Sequence, residues 1–318
     1  MKENQNLISD SLIVGCWQLD NRSWQAITEE EIERTIDTYL AMGISSFDTA
    51  DIYGRSEKTL GQVLQGRDCT ILTKAVFFGE IPNTNQIKSK VESSLRKLKK
   101  ESLDCLQIYW HNPQLDCGST FTTFNELLEA GKIRQLGVTN FDTPMLEKAL
   151  QYAPIKTNQI QYSLIDRRAE KSLQPFCLEK DVTLLPYGPL AGGYLSRKFL
   201  GIDLPSTEGE HARSFYYSSM IRAHGGWSPV QEMLLTMAQM GNKYKVSISQ
   251  LALNWVKNQP GVGAVISGFT QNRQQIKSNI EAMEVNIAPE DLQLLSERSD
   301  ALFKQEGDIY SYEKGDMK

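Results

Sequence analysis

The 318-residue chain predicts a closed (β/α)8 barrel, an α/β fold in which eight parallel strands are ringed by helices. Three observations lead there. Short β-branched or apolar runs alternate with longer stretches of helical period, the pattern of a parallel sheet wrapped by helices. The alternation repeats about eight times, which favours a closed barrel over an open doubly wound sheet. No shift in composition marks a linker, so residues 1–318 are expected to form a single domain, at a length where α/β barrels are common.

Strand-like runs fall at 12–16, 44–48, 70–74, 103–111, 133–138, 157–161, 182–187 and 263–267. Helical patterns fall at 29–42, 56–65, 85–99, 121–130, 143–152, 170–180, 247–257 and 273–281. Thr28, followed by Glu29, Glu30 and Glu31, reads as an N-cap with acids at the positive end of the helix dipole. Gly43, Gly66 and Gly131 stand where a helix closes on a left-handed residue. One stretch breaks the rhythm. Residues 197–229, rich in Gly, Ser and Tyr, are expected to form a long irregular connection of the kind that serves as a lid or binding loop. Its Arg197, Lys198, Arg213 and Arg222 are placed to reach an anionic cofactor or to remain solvated.

A composition of 40% hydrophobic and 23% charged residues is that of an ordinary globular protein. The formal net charge of -5 argues against nucleic acid or an anionic membrane as partner, since either needs clustered positive charge. A small-molecule substrate is expected instead. The polar start MKENQNLISD and the lack of a long apolar run lead to the expectation of a cytoplasmic protein. Cys16, Cys69, Cys105, Cys117 and Cys177 are scattered and form no C-x-x-C pair, so they are expected to be reduced thiols with no metal. Oligomeric state leaves no signature.

Active sites of such barrels lie at the carboxyl ends of the strands. Asp48 ends the second predicted strand, Lys74 the third and His111 the fourth, and Tyr53 follows Asp48 in a loop short enough to turn back over the mouth. A single lysine at a strand end is commonly solvated, and a single histidine in an apolar run commonly packs in a core. Their joint placement at one rim is what points to chemistry. A phenol titrates near ~10 and needs help to exchange a proton at neutral pH. A neighbouring ammonium would favour its anion and lower that value, with Asp48 holding Lys74 charged and aimed. His111 could then orient a carbonyl oxygen.

The segment Phe47-Asp48-Thr49-Ala50-Asp51-Ile52-Tyr53-Gly54, with Lys74 and His111 downstream, resembles the aldo-keto reductase superfamily. Gly137-Val-Thr-Asn-Phe141, Asn158-Gln-Ile-Gln-Tyr162 and Tyr187-Gly-Pro-Leu-Ala-Gly-Gly193 agree with it, in the family's order and nearly end to end. The resemblance implies a TIM barrel that binds NADP(H) without a Rossmann fold. It implies Tyr53 as general acid, with Lys74, Asp48 and His111 completing a catalytic tetrad. It places Thr139, Asn140 and Gln161 on the nicotinamide carboxamide, with Tyr187 stacked on the ring. Gly188, Pro189, Leu190 and Gly193 would run along the pyrophosphate, where backbone N–H groups suit an anion. Ser267, Gly268, Phe269, Thr270, Arg273, Gln275 and Asn279 would meet the adenosine end, at the turn and helix start after the last strand.

Some positions depart from the family's habit. Gly268 stands where a lysine for the 2′-phosphate is common, which leaves Arg273 or Gln275 to compensate and keeps NAD(H) possible. Thr139 replaces a serine and keeps its hydroxyl, whereas Gly188 replaces one and loses it. Cys16 and Trp17 sit at the first strand's mouth beside the cofactor, and Trp17, Phe77 and Asn112 are candidates for the substrate wall with Tyr53 and His111. The implied reaction is reduction of aldehydes, ketones or open-chain sugars. Two other readings share these residues: a sugar or alcohol dehydrogenase working in reverse, and a cofactor-sensing regulatory subunit like the family's potassium-channel β-subunits.

Overall fold

Residues 7–20, 26–77, 81–109, 117–204, 212–302 and 307 are described in the computed structural model, 212–215 through their backbone only. Eight strands close on themselves in chain order: β1 (Leu12–Gly15), β2 (Ser46–Asp48), β3 (Thr70–Val76), β4 (Leu103–Tyr109), β5 (Ile133–Thr139), β6 (Ile155–Gln161), β7 (Thr183–Tyr187) and β8 (Val265–Gly268). Neighbours pair in parallel, and closure runs from Leu12 opposite Val265 to Gly15 opposite Gly268. Around them lie α1 (Glu29–Ala41), α2 (Ser56–Val63), α3 (Thr84–Leu98), α4 (Cys117–Glu129), α5 (Thr143–Leu150), α6 (Leu173–Glu179), α7 (Ala212–Ala223), α8 (Trp227–Tyr244), α9 (Ile248–Lys257), α10 (Arg273–Glu284) and α11 (Pro289–Asp300). The barrel expected from the alternating pattern is therefore the fold.

Local chemistry explains the element ends. Thr28 caps α1 with a reciprocal box, its hydroxyl accepting from Glu31 N at 3.2 Å while Glu31 Oε2 accepts from Thr28 N at 2.9 Å. Asn83 and Ser247 cap α3 and α9 in the same way through Gln86 and Gln250. Strand alternation then divides the interior in two. Leu106 and Ile108 of β4 point outward into the main core beneath the helices. Ile13, Leu72, Cys105, Leu185, Ala264 and Ile266 point inward and plug the barrel with an apolar floor. Polar inward residues lie above that floor.

Lys74, expected to end the third strand, lies two residues inside it, because β3 runs on through the apolar Ala75 and Val76. The fourth strand is described from Leu103 to Tyr109, and residues 110–116, with His111 and Asn112, lie outside the described residues, so the strand end expected at His111 falls among them. The stretch 197–229 is also more ordered than its composition suggests. A short turn of 3-10 helix at Arg197–Phe199, α7 and the first turn of α8 occupy much of it, while 205–211 lie outside the described residues. Aromatic packing supplies the reason. Tyr194, Phe199 and Trp227 cluster with centroids 4.8 to 6.3 Å apart. At the far end of α7, the fully buried His224 sits 3.6 Å from Asp166, which also takes both forks of Arg168 at 2.8 and 3.0 Å.

Candidate active site

The chemistry begins with a sealed ion pair. Asp48 ends β2 and Lys74 lies on β3, and Lys74 Nζ stands 2.5 Å from Asp48 Oδ2 while donating to the Thr49 carbonyl at 2.9 Å. Their exposures are 1% for Lys74 and 3% for Asp48. A buried pair is tolerable only when its remaining lone pairs are met. Two glutamines meet them: Asp48 Oδ1 accepts from Gln159 Nε2 at 2.8 Å and from Gln107 Nε2 at 3.1 Å. Gln159 Nε2 also donates to Gln107 Oε1 at 3.1 Å. Neither glutamine was singled out in the sequence, although each is a polar residue at an inward position of its strand.

Tyr53 is brought over this pair by a tight turn. Tyr53 N donates to the Ala50 carbonyl at 3.1 Å, and Gly54 then takes φ +50°. A Cβ on Gly54 would lie 2.7 Å from Asp20 Oδ1, so the turn requires glycine twice over. Lys74 Nζ stands 5.2 Å from the centroid of the Tyr53 ring, and the Trp17 ring lies 6.4 Å away at 32°. Three of the four expected catalytic groups thus share one mouth, and His111 lies outside the described residues.

The direction of the tyrosine shift differs from expectation. Burial first, and then the charges of Asp48, Cys16, Asp20 and Asp51, push the Tyr53 phenol above its ordinary value. The physical reason is that Lys74 is already matched by Asp48, so little net positive charge is offered to a phenolate. The phenol is neutral at neutral pH and available as a proton donor. Cys16 beside it is buried and donates to the Val14 carbonyl at 3.4 Å, and burial likewise raises its thiol.

Across the mouth lies a set of unpartnered polar atoms. Thr139 Oγ1 at the end of β5, Asn140 Nδ2 after it and Gln161 Oε1 at the end of β6 are buried without a hydrogen-bond partner. A hydroxyl, an amide donor and an amide acceptor are the complement of a primary carboxamide, and they fit the nicotinamide group the sequence implied. Asn140 Oδ1 is fixed by Tyr187 Oη at 3.2 Å, and Gln161 Nε2 donates to the Gly188 carbonyl at 3.4 Å. Tyr187, half-buried at the end of β7, stands beside them.

Beyond β7 the backbone turns through Gly188 at φ +66°, Pro189 and Leu190, with Gly192 and Gly193 also left-handed. A Cβ on Gly188 would meet Gln161 Oε1 at 2.4 Å and Tyr217 Oη at 2.5 Å. Tyr217 comes from α7, so that helix packs directly on the turn expected along the pyrophosphate.

The far end is largely neutral. Gly268 ends β8 beneath Gln18, whose Nε2 would be 2.3 Å from an added Cβ. Phe269 is buried against Tyr39 at 5.9 Å, and Thr270 N donates to Tyr39 Oη. Asn272 caps α10 by accepting from Gln274 N and Gln275 N, while the Gln275 side chain accepts from Thr270 Oγ1 at 2.8 Å. Asn279 Nδ2 donates to Ser267 Oγ at 3.1 Å. Arg273 is exposed and is the one charged residue between positions 266 and 276.

Other expected residues are placed as follows. Trp17 is half-buried at the mouth. Phe77 is buried between Lys90, whose Nζ is 5.3 Å from its ring, and Phe124 at 6.4 Å. Among the described residues, no three His, Cys, Asp or Glu side chains gather to hold a metal ion, and no helix is long and apolar enough to cross a membrane.

A closed parallel barrel carrying a buried Lys–Asp pair under a tyrosine, with a carboxamide-shaped set of polar atoms opposite, defines an NAD(P)H-dependent oxidoreductase acting at carbonyl or alcohol carbons. The sequence model of the aldo/keto reductase family matches residues 11–300, and the chain belongs to that family. It is 29% identical over 277 residues to the aldo-keto reductase YhdN of Bacillus subtilis, covering 80% of each chain. It is 26% identical over 317 residues to the NADH-specific methylglyoxal reductase of Escherichia coli, covering 91% of this chain and 94% of that one. The holo form of the aldo-keto reductase AKR11C1 from Bacillus halodurans superposes with a TM-score of 0.72 at 25% identity, covering 96% of this chain and 95% of that one.

Proposed function

We propose that this aldo-keto reductase reduces aldehydes and ketones, open-chain sugars included, to alcohols with NADP(H), and that Tyr53 supplies the proton. The observation that carries this reading is a neutral phenol set over a sealed ammonium-carboxylate pair. When bound, the nicotinamide supplies a hydride to the carbonyl carbon. The chain's own residues do the rest. Thr139, Asn140 and Gln161 hold the carboxamide and so fix the ring's rotation, while Tyr187 covers one face and leaves the other toward the mouth. Tyr53 gives its proton to the carbonyl oxygen as negative charge develops there and is reprotonated from water, with Lys74 set against its ring to hold it in place. Asp48 keeps Lys74 aimed.

Arg273 is the residue proposed to meet a 2′-phosphate, as an exposed cation on the first turn of α10. A second reading has its own support: the neutral Gly268 and the tied Gln275 suit the bare ribose of NAD(H) as well. Fluorescence titration with NADPH and with NADH, followed by cofactor oxidation across aldehydes, ketones and aldoses, tests both. Tighter NADPH binding with turnover supports the proposal. Tighter NADH binding transfers the cofactor preference to NAD(H), and binding without turnover of any carbonyl supports a regulatory role.

A further inference from the structure

The inward face of β4 can be followed residue by residue. Cys105 Sγ lies 3.9 Å from Thr157 Oγ1 of β6, and Gln107 reaches Asp48 and Gln159 across the barrel. Alternating with them, Leu106 and Ile108 point outward into the core under the helices. Alternation therefore places Tyr109 on the inward face, about 6.6 Å nearer the mouth than Gln107 at ~3.3 Å per residue. The register agrees. Gln107 lies opposite Lys74, and Tyr109 lies opposite Val76 on one side and Thr139 on the other. Thr139 is a carboxamide candidate whose hydroxyl is unpartnered. Tyr109 is also the one residue of β4 that is not buried, as suits a side chain at the opening rather than in the packing.

We infer that Tyr109 is a substrate-contacting group of this site, its phenol hydrogen-bonding the carbonyl oxygen that Tyr53 protonates. This rests on the proposed carbonyl reduction and adds a residue that the sequence reading passed over in favour of His111. The position is one pleat above the Lys74–Asp48 pair, on the strand next to β3, and it is the last inward place of β4 among the described residues. A hydroxyl there can donate to an oxygen gaining negative charge, which is the interaction that accelerates carbonyl addition when it is fixed in advance. Tyr53 moves the proton. Tyr109 orients the acceptor and shares its charge.

The test starts from the wild-type enzyme and a carbonyl it turns over with NADPH; absence of any such carbonyl removes the proposed function itself, a separate result. With turnover in hand, Tyr109→Phe keeps the ring and removes the hydroxyl. The expected result is a kcat lower by about 100- to 1000-fold, the range for loss of one such donor, with NADPH affinity unchanged. Tyr109→His should restore part of the rate and add a new limb near ~6.5 to the pH profile, because an imidazole titrates there and a phenol does not. Wild-type kcat and KM in Tyr109→Phe would overturn the inference, as would loss of NADPH binding in that variant, which would make Tyr109 a cofactor residue. So would a rate loss in His111→Ala with none in Tyr109→Phe. Should Tyr109→Phe not fold, the new limb in Tyr109→His decides alone.

Discussion

Lys74 Nζ and Asp48 Oδ2 stand 2.5 Å apart with side-chain exposures of 1% and 5%, a charged pair enclosed by the barrel at the base of its mouth. Such a pair contributes little net stability, but removing one partner leaves the other charge stranded, at about 3–5 kcal/mol. Lys74→Met should therefore both unfold at lower denaturant and lose reductase activity by ~10²-fold or more. Urea unfolding followed by circular dichroism, alongside NADPH oxidation under native conditions, separates the two effects. A variant as stable as wild type would contradict the buried pairing.

Tyr53→Phe removes the proton donor and little else, because the ring remains against Trp17 and Lys74. Its kcat should fall by about 10²–10⁴-fold while NADPH still binds, the signature of an interaction made in the transition state. The sign of the pH dependence follows from the raised phenol. With its value pushed above ~10, Tyr53 stays protonated through neutrality, so reduction should not lose this acid until pH exceeds the ordinary phenol range. A pH–rate profile between 6 and about 10.5 checks it. An alkaline limb near 7 to 8 that vanishes in Tyr53→Phe would show that the bound cofactor leaves Lys74 in command instead.

Gln159 is where a purely structural contact should have a catalytic echo. Its Nε2 donates to Asp48 Oδ1 at 2.8 Å from a strand far away in sequence. Gln159→Leu keeps the bulk but takes a donor from a buried carboxylate, at about 1.5–3 kcal/mol for a hydrogen bond to a charged group. Asp48 would then lean toward Gln107 and carry Lys74 with it. Lower stability together with reduced kcat at unchanged NADPH affinity is the expected pattern, read by thermal unfolding and steady-state kinetics. Full activity at reduced stability would confine Gln159 to packing.

Much of this arrangement was legible because it is local or periodic. The eight strands announce themselves as β-branched or apolar runs; Asp48 ends its strand, Tyr53 lies just beyond it, and Lys74 lies two residues inside the end of β3. What was not legible is long-range. Gln107 and Gln159 are 52 positions apart and meet only because closure points both at Asp48. Tyr109 drew no notice because the apolar run continues into Trp110 and the strand was read through to His111, which lies outside the described residues. The helices within 197–244 were missed for a different reason. The buried stripe Val230, Met233, Leu234, Met237 and Met240 of α8 is helical in spacing but follows Gly225, Gly226 and Pro229, which read as loop. Likewise the upward shift of Tyr53 depends on how fully Asp48 cancels Lys74, a distance no motif contains.

Gly188 links the insertion to the cofactor site and gives the last prediction. Its φ of +66° is strained for any residue with a Cβ, at about 1–2 kcal/mol. Space is short as well, with Gln161 Oε1 at 2.4 Å and Tyr217 Oη at 2.5 Å from where that carbon would be. Gly188→Ala must therefore displace either the Gln161 amide, which is proposed to hold the carboxamide, or the Tyr217 phenol of α7. Both routes loosen the cofactor's seat while leaving Tyr53, Lys74 and Asp48 in place. NADPH should bind at least ~10-fold more weakly, the equivalent of about 1.4 kcal/mol, whereas kcat at saturating NADPH should change far less. The same titration on Tyr217→Phe separates the two routes: weakened binding there implicates the phenol, and unchanged binding assigns the loss in Gly188→Ala to Gln161. Wild-type affinity in Gly188→Ala would mean that the turn after β7 does not contact the cofactor at all.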